Sequence, residues 1–399
     1  MVRRSILAVF ATLAIVLGCV VVSSPAGAVV DTAVVMPSPS PGASEYVLNS
    51  VSCVSTSWCV AVGYEVTVSA IETLAMVWDG SFWSIIPSPN AGVLDDKLRS
   101  VSCVSTSWCV AVGETNTGSA IETLIEVWNG TSWSVASVPS SGGTDDRLRS
   151  VSCVSTSWCV AVGETFADSY YETLAMVWNG ASWSVALTPN VGAGENVLRS
   201  VSCVSTLWCV AVGYTYTGSG TETLAMAWDG SSWSVVASPN ASTDNQLNGV
   251  SCVSASSCVA VGSASSESGN MPLITSWDGS SWSIADSPNP GNSVLNSVSC
   301  SSSSSCVALG FISLTWIPEV LTQAWDGNSW SIVSNPTSDA TGQQLRSASC
   351  VSVSWCVAVG YMTVDFVSKT LVLSLTGPEP APTTTTSASP KPVAPAFTG

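Results

Sequence analysis

The stretch SVSCVSTSWCVAVG at residues 50–63 returns unchanged at 100–113 and 150–163, and at 200–213 with a single change, Leu207. Its cysteine pair carries the register through the rest of the chain. The first cysteine of each pair falls at 53, 103, 153, 203, 252, 300 and 350, a period of 48 to 50 residues. Later copies drift, as in the serine run Ser301 to Ser305. A chain of 399 residues would ordinarily divide into two or three domains. Repeats of this length instead stack on their neighbours and share one continuous core.

Each copy reads as four short strands. In the second copy they are expected near residues 98–104, 108–114, 121–128 and 132–137. Val, Ile, Thr and Trp dominate these runs, as strands require. Asn129-Gly130 marks a hairpin turn, because both residue types tolerate positive φ. Proline after the fourth strand ends it by withholding a backbone donor. Apolar residues occupy both faces of the run Trp108-Cys109-Val110-Ala111-Val112, which suits a sheet covered on both sides. The expected fold is all-β, a seven-bladed β-propeller of four-stranded antiparallel blades. The chain ends support closure. The seventh copy stops after its third strand, at Thr370 to Gly377. Residues Ala33 to Pro39 line up with the fourth strand of another copy, Ser234 to Pro239. An N-terminal strand would then complete the last blade and remove an open edge. An open β-array or two smaller sheet domains is the alternative.

Three segments follow from composition. Residues 1–28 read as a signal peptide, with basic Arg3-Arg4, an apolar Ile6 to Leu17 and an Ala26-Gly27-Ala28 cleavage site. Val16-Leu17-Gly18-Cys19 resembles a lipobox, which would make Cys19 a lipidated residue instead. Residues 29–377 form the repeat array, and 378–399 a Pro/Thr-rich tail expected to be extended or disordered. Its end, Pro395 to Gly399, resembles a degenerate sortase motif without the apolar span and basic tail that anchoring needs. No other stretch is long and apolar enough to span a membrane. Without Arg3 and Arg4 the chain has 8 basic against 27 acidic residues, a net charge of −19. That excludes nucleic acid and anionic membranes as partners. A secreted or cell-surface monomer is expected.

The cysteine pairs Cys53/Cys59, Cys103/Cys109, Cys153/Cys159, Cys203/Cys209, Cys252/Cys258, Cys300/Cys306 and Cys350/Cys356 each flank the first hairpin turn. Setting Cys103 opposite Cys109 places Val104 opposite Trp108 around a three-residue loop. Cross-strand neighbours come within disulfide reach, and export supplies the oxidising compartment. Each short loop would contribute roughly 2 to 2.5 kcal/mol. Zinc sites use shorter spacings with histidine, and the chain has no histidine. Redox centres favour C-x-x-C beside a helix. Neither metal nor cofactor is expected.

Tryptophan recurs at three fixed positions. One precedes the second cysteine (Trp58, Trp108), one precedes the Asp/Asn-Gly turn (Trp78, Trp128) and one follows it (Trp83, Trp133). Packing between blades is the expected role, with sugar stacking as the functional alternative. The combined signature L-x-x-V-S-C-x5-C-x-A-V-G and W-[DN]-G-x-x-W-S, over residues 47–377, resembles secreted actinobacterial propeller-type repeat proteins. The turn is also similar to the Asp-box of sialidase-like propellers, although Asp79 directly precedes Gly80 here. That resemblance implies fold and no catalytic residue.

Function is expected on the variable connections, which all project from one face. That face is expected to carry Glu65, Asp95, Asp96, Glu114, Asp145, Asp146, Glu164, Asp168, Glu195, Tyr214 and Asp244, and to contact a protein or glycan partner. Solvated acidic loops are the plainer alternative. Calcium binding lacks a D-x-[DN]-x-[DN]-G loop. A glycan hydrolase needs only two carboxylates, but nearly all carboxylates here repeat between copies. The least symmetric candidates are Asp168, Tyr170 and Tyr171. The leading reading is a non-enzymatic binding or scaffold module, with a glycan-active hydrolase or a structural envelope protein as alternatives.

Overall fold

A computed structural model describes residues 30–42, 44–167, 169–192, 194–267, 269–313, 317–336 and 340–378. The candidate signal peptide with Cys19, the candidate residue Asp168 and the tail from 379 lie outside the described residues. The described strands form seven sheets of four antiparallel strands, one sheet per repeat. The fold is the expected all-β seven-bladed propeller. In the first blade the inner strand is Glu45–Ser55, followed by Trp58–Val66, Ile71–Trp78 and the outer strand Trp83–Ile86. In the last blade the inner strand is Gly342–Ser352, followed by Trp355–Val364 and Val367–Thr376. Its fourth strand is Thr32–Val35 from the other end of the chain, with Thr32 opposite Thr376 and Val35 opposite Leu373.

The core is divided among the blade interfaces. One cluster joins Val60, Val62 and Ala75 of the first blade to Leu98, Val101, Cys109, Leu124 and Trp133 of the second. The closing cluster joins Val357, Val359 and Val372 of the last blade to Leu48, Ala61, Met76 and Trp83 of the first. The tryptophans take the packing role. Those after the turn are buried, as Trp83 and Trp133 are, and lie 5.9 and 5.7 Å from the cross-strand Trp78 and Trp128. Those before the second cysteine, such as Trp58 and Trp108, pack against the same clusters. At the turn itself Gly80 takes φ +94°, and Asp79 Oδ1 accepts the N–H groups of Ser81 and Phe82.

The inner strands are tied together by serine. The N–H of Val101 and that of Cys103 donate to Ser50 Oγ and Ser52 Oγ of the preceding blade, at 3.2 and 3.0 Å. The same contacts recur from Val151 and Cys153 to Ser100 and Ser102, and from Val201 and Cys203 to Ser150 and Ser152. They also close the ring, from Val51 and Cys53 to Ser347 and Ser349. Where the repeat has Gly249 in place of serine, only the second contact remains, from Cys300 to Ser251. Two serines on each inner strand, and one on the strand with Gly249, thus satisfy edge N–H groups that would otherwise be left unpaired near the axis.

Every inner strand carries a bulge just after its leucine, at Leu48/Ser50, Leu98/Ser100 and their counterparts. The bulged strand crosses close to the glycine of the A-V-G motif. A Cβ on Gly213 would lie 1.9 Å from the Val197 carbonyl oxygen, so only glycine fits. A second bulge follows the first cysteine. It corrects the expected hairpin register: Ser105, not Val104, faces Trp108, and the loop has two residues.

The disulfide pairs are as expected. Cys53–Cys59, Cys103–Cys109, Cys153–Cys159, Cys203–Cys209, Cys252–Cys258, Cys300–Cys306 and Cys350–Cys356 each link two strands of one hairpin, with Cα atoms 3.9 to 4.1 Å apart. They clip hairpins and do not tie blades to one another. The spacing did not reveal that the two ends of each clip differ in burial. The second cysteines, Cys59, Cys109, Cys159, Cys209, Cys258, Cys306 and Cys356, are buried, and each belongs to one of the apolar clusters. The first cysteines, such as Cys53 and Cys103, are half-buried and pack on the edges of those clusters. The cause is strand position, since the second cysteine opens the second strand, which neighbouring blades cover on both faces. These cysteines are therefore core residues, inaccessible to a ligand, as well as staples.

Ring closure rests on strand pairing, serine contacts and buried apolar surface. Deleting residues 31–38 strips the last blade of its outer strand and opens a sheet edge. The melting temperature is expected to fall by at least about 5 °C, and calorimetry of the shortened chain checks this.

Candidate functional site

The bulge has a directional consequence. It turns one side chain of each inner strand out of the alternating pattern and toward the propeller axis. These residues are Asn49, Arg99, Arg149, Arg199, Asn248, Asn296 and Arg346, and together they line the axial channel. A cavity of about 280 Å³ lies on the side of Gln344, toward the variable connections. A second, of about 200 Å³, lies on the side of the ring formed by Ser50, Val51, Ser100 and Val101. Four of the chain's ten basic residues occupy this one ring.

The asparagines lash the ring together. Asn49, Asn248 and Asn296 each donate from Nδ2 to the bulge carbonyl of a neighbouring blade, at Leu98, Leu295 and Leu345. The arginines are paired differently in different blades. In the second and third blades a glutamate faces the arginine from the adjacent strand. Arg99 Nε lies 3.1 and 3.0 Å from the Glu114 oxygens, and Arg149 Nε lies 2.9 and 3.0 Å from those of Glu164. A second guanidinium nitrogen completes each pair. Burial opposes the charge of Glu114, but Arg99 outweighs it and holds the carboxyl below its ordinary range. Burial likewise disfavours charged Arg149, and Glu164 more than offsets this, so its pKa is raised. In the fourth and seventh blades the facing residue is tyrosine. The Arg199 and Arg346 guanidiniums sit over the rings of Tyr214 and Tyr361, at 5.1 and 5.3 Å. Among the described residues neither has a carboxylate in ion-pair range. Arg346 Nη1 donates to Asn49 Oδ1, while its Nε and Asn248 Oδ1 are buried without a hydrogen-bond partner.

The acidic residues expected on the variable face fall into distinct places. Glu114, Glu164 and Tyr214 lie on second strands beside the ring, where Glu114 and Glu164 are buried. Asp96 and Asp146 are buried and fold their own connections. Asp96 accepts the N–H of Gly92, and Asp146 accepts the hydroxyls of Ser141 and Thr165. Asp95 and Asp244 accept the N–H groups of Ile71 and Thr221. Asp145 accepts from Arg147 and from the Tyr171 hydroxyl, and Glu195 from the Tyr214 hydroxyl. Glu65 sits beside Tyr46, whose phenol pKa is raised by burial and then by that carboxylate. These carboxylates organise the loops. Tyr170, by contrast, is exposed and lines a cleft of about 310 Å³ with Val191 and Tyr216.

The sequence reading missed two features. One is the axial ring, which has a legible signal: the residue after the repeated leucine is Arg or Asn in every copy. The other is Glu126, which replaces the methionine found at Met76, Met176 and Met226. It is fully buried, accepts from Ser88 Oγ at 2.7 Å, and its other oxygen has no partner. Burial pushes its pKa up to about 8.

Comparison with known structures agrees on the fold. YCF48 from Cyanidioschyzon merolae superposes with a TM-score of 0.53 at 14% identity, over 86% of this chain and 98% of that one. YCF48 bound to D1 peptide gives 0.51 at 13%, over 86% and 96%. A protein of unknown function from Dyadobacter fermentans gives 0.50 at 9%, over 88% and 100%. At such identities the likeness concerns architecture. No family profile and no curated protein matches the chain.

Glu126 makes stability depend on pH. The folded chain keeps its proton up to about pH 8, whereas the unfolded chain loses it near the ordinary value of 4.5. Stability is therefore expected to fall as pH rises from about 4.5 to 8, by up to about 1.4 kcal/mol per unit. Glu126→Met should remove that slope, which urea denaturation of both proteins at pH 5 and pH 8 measures.

Proposed function

We propose that this chain is an exported, non-enzymatic binding module that receives a protein or glycan partner at the axial mouth of its variable-loop face. The observation that carries this reading is the axial ring. It concentrates positive charge on rigid strands, just below the face where the connections vary. A rigid scaffold presenting variable loops is where binding usually concentrates. The seven disulfides suit an oxidising compartment and so support export. A propeller of this architecture, YCF48, is solved with D1 peptide bound, which supports a protein as one class of partner. Closure of the ring within one chain supports a monomer, since each of the seven described sheets draws its four strands from this chain. The Asp79 turn, with its carboxylate folding the hairpin over Gly80, supports the kinship with Asp-box turns.

The chemistry of the carboxylates runs against a glycan hydrolase. Such enzymes need an acid of raised pKa beside a second carboxylate. Glu114 and Glu164 are each engaged by an arginine. The carboxyl whose pKa is pushed up to about 8, Glu126, is sealed between the first two blades, out of a substrate's reach.

Screening the mature chain on glycan and peptide arrays is expected to find binding without turnover. Arg199→Glu at the mouth should abolish that binding, while Ser157→Arg on the opposite face should leave it intact. A bound glycan that is hydrolysed, with activity lost on changing one unrepeated carboxylate, would replace this reading with the hydrolase.

A further inference from the structure

We propose that the axial ring is a carboxylate-binding site, and that Arg199 and Arg346 are its recognition residues. The inference rests on the binding-module reading and gives its ligand a chemistry. The ring contains its own template. In the second and third blades, Arg99 and Arg149 each hold a glutamate carboxylate through two guanidinium nitrogens. In the fourth and seventh blades the same repeat position carries an arginine, but the glutamate is replaced by Tyr214 or Tyr361. Tyrosine supports the guanidinium plane by a cation–π contact and leaves its forked donors without a carboxylate. A ligand carboxylate entering the channel would make in those blades the pair that Glu114 and Glu164 make in theirs.

Position and solvation agree with this. Arg199 and Arg346 stand three blades apart in a ring of seven, so they approach the axis from nearly opposite sides. A ligand on the axis lies between them. The cavity on the variable-face side, about 280 Å³, holds a small organic acid or the acidic end of a larger ligand. Polar atoms wait there: Arg346 Nε and Asn248 Oδ1 are buried and unpartnered, which costs stability unless a ligand or water meets them. Two glutamates against four arginines leave the ring positive inside a chain of net charge −17. The low-dielectric walls of a channel focus that field on an incoming anion. The planar fork favours a carboxylate of the kind the ring already binds internally. The carboxylate can belong to a free dicarboxylate, an acidic sugar or a peptide C-terminus.

Isothermal titration of the mature chain with succinate, glucuronate, glucose, and one short peptide as its free acid and its amide tests this. The acids are expected to bind, and glucose and the amide to bind at least about tenfold more weakly. Which acid binds best identifies the source. Arg199→Gln touches only the Tyr214 contact among the pairs described above and should weaken the acids about tenfold without lowering the melting temperature. Arg199→Lys, which keeps the charge and loses the fork, should recover only part of the affinity. Arg346→Gln should weaken the acids to a similar extent, with some loss of melting temperature because the Asn49 contact goes too. The proposal is overturned by equal binding of acid and amide, by undiminished acid binding to a folded Arg199→Gln chain, or by sulfate competing as well as succinate. Neutral probes that bind with no preference for the acid would overturn the carboxylate site and leave the binding module standing.

Discussion

The contact on which the rest of the molecule depends is a serine hydroxyl accepting a backbone N–H from the next blade. Inner strands of a propeller converge at the axis, where each has an edge with no further strand to pair with. Large side chains cannot be accommodated between those converging edges, and bare N–H groups cannot be left dry. A pair of serines solves both constraints, because each is small and each carries one acceptor of suitable length. The arrangement runs from Ser50 and Ser52 to the closing contacts of Ser347 and Ser349. The repeated Ser-Val-Ser is therefore an axial seam. The apolar clusters between blades supply bulk, and the seam sets how closely the blades approach.

The bulge just upstream follows from the same crowding. If alternation continued unbroken, the residue before the first serine would face a neighbouring blade. Displacing it by one position sends it into the channel, and the facing glycine of A-V-G accepts the close crossing of the strand, as Gly213 does at the Val197 carbonyl. Structure and site are thus coupled in one short motif. Serines fix the blades, the bulge aims a side chain, and glycine permits the bulge. Because the aimed residue is released from packing, it can differ between copies without disturbing the fold. Arginine and asparagine share that position on these terms.

Much of the architecture was legible because it is repeated. The period gave seven blades, the hairpin turns gave four strands, and the unequal chain ends gave the shared last blade, all of which the sheet order matches. The cysteine spacing gave the local disulfides, though not the second bulge that moves Ser105 opposite Trp108, nor the burial of the second cysteine of each pair. A bulge leaves only a weak trace in alternation, and a one-residue slip cannot be seen in a run such as Cys103 to Ser105 where both faces are partly covered. The site was less legible for a different reason. Net charge averages over the molecule, so a surplus of acidic residues hid four arginines in a single register. The Asp95-Asp96 and Asp145-Asp146 pairs looked like a ligand surface because they are acidic and lie in loops. Each of these carboxylates accepts from loop N–H groups or side chains, while Asp145 Oδ1 is buried without a partner.

Symmetry then becomes informative where it breaks. A seven-fold ring of identical arginines would repel itself and offer no orientation to a ligand. This ring instead neutralises two arginines internally, leaves two supported by tyrosine, and fills the remaining three places with asparagines that bind neighbouring carbonyls. Charge repulsion is thereby relieved on one side of the channel while hydrogen-bonding capacity is retained at two points across it. Tyrosine in place of glutamate at the facing position accomplishes this, because the aromatic ring still holds the guanidinium and leaves its donors without a carboxylate. Repetition built the scaffold, and divergence confined to the axial pairs gave it a polarity that no single repeat contains.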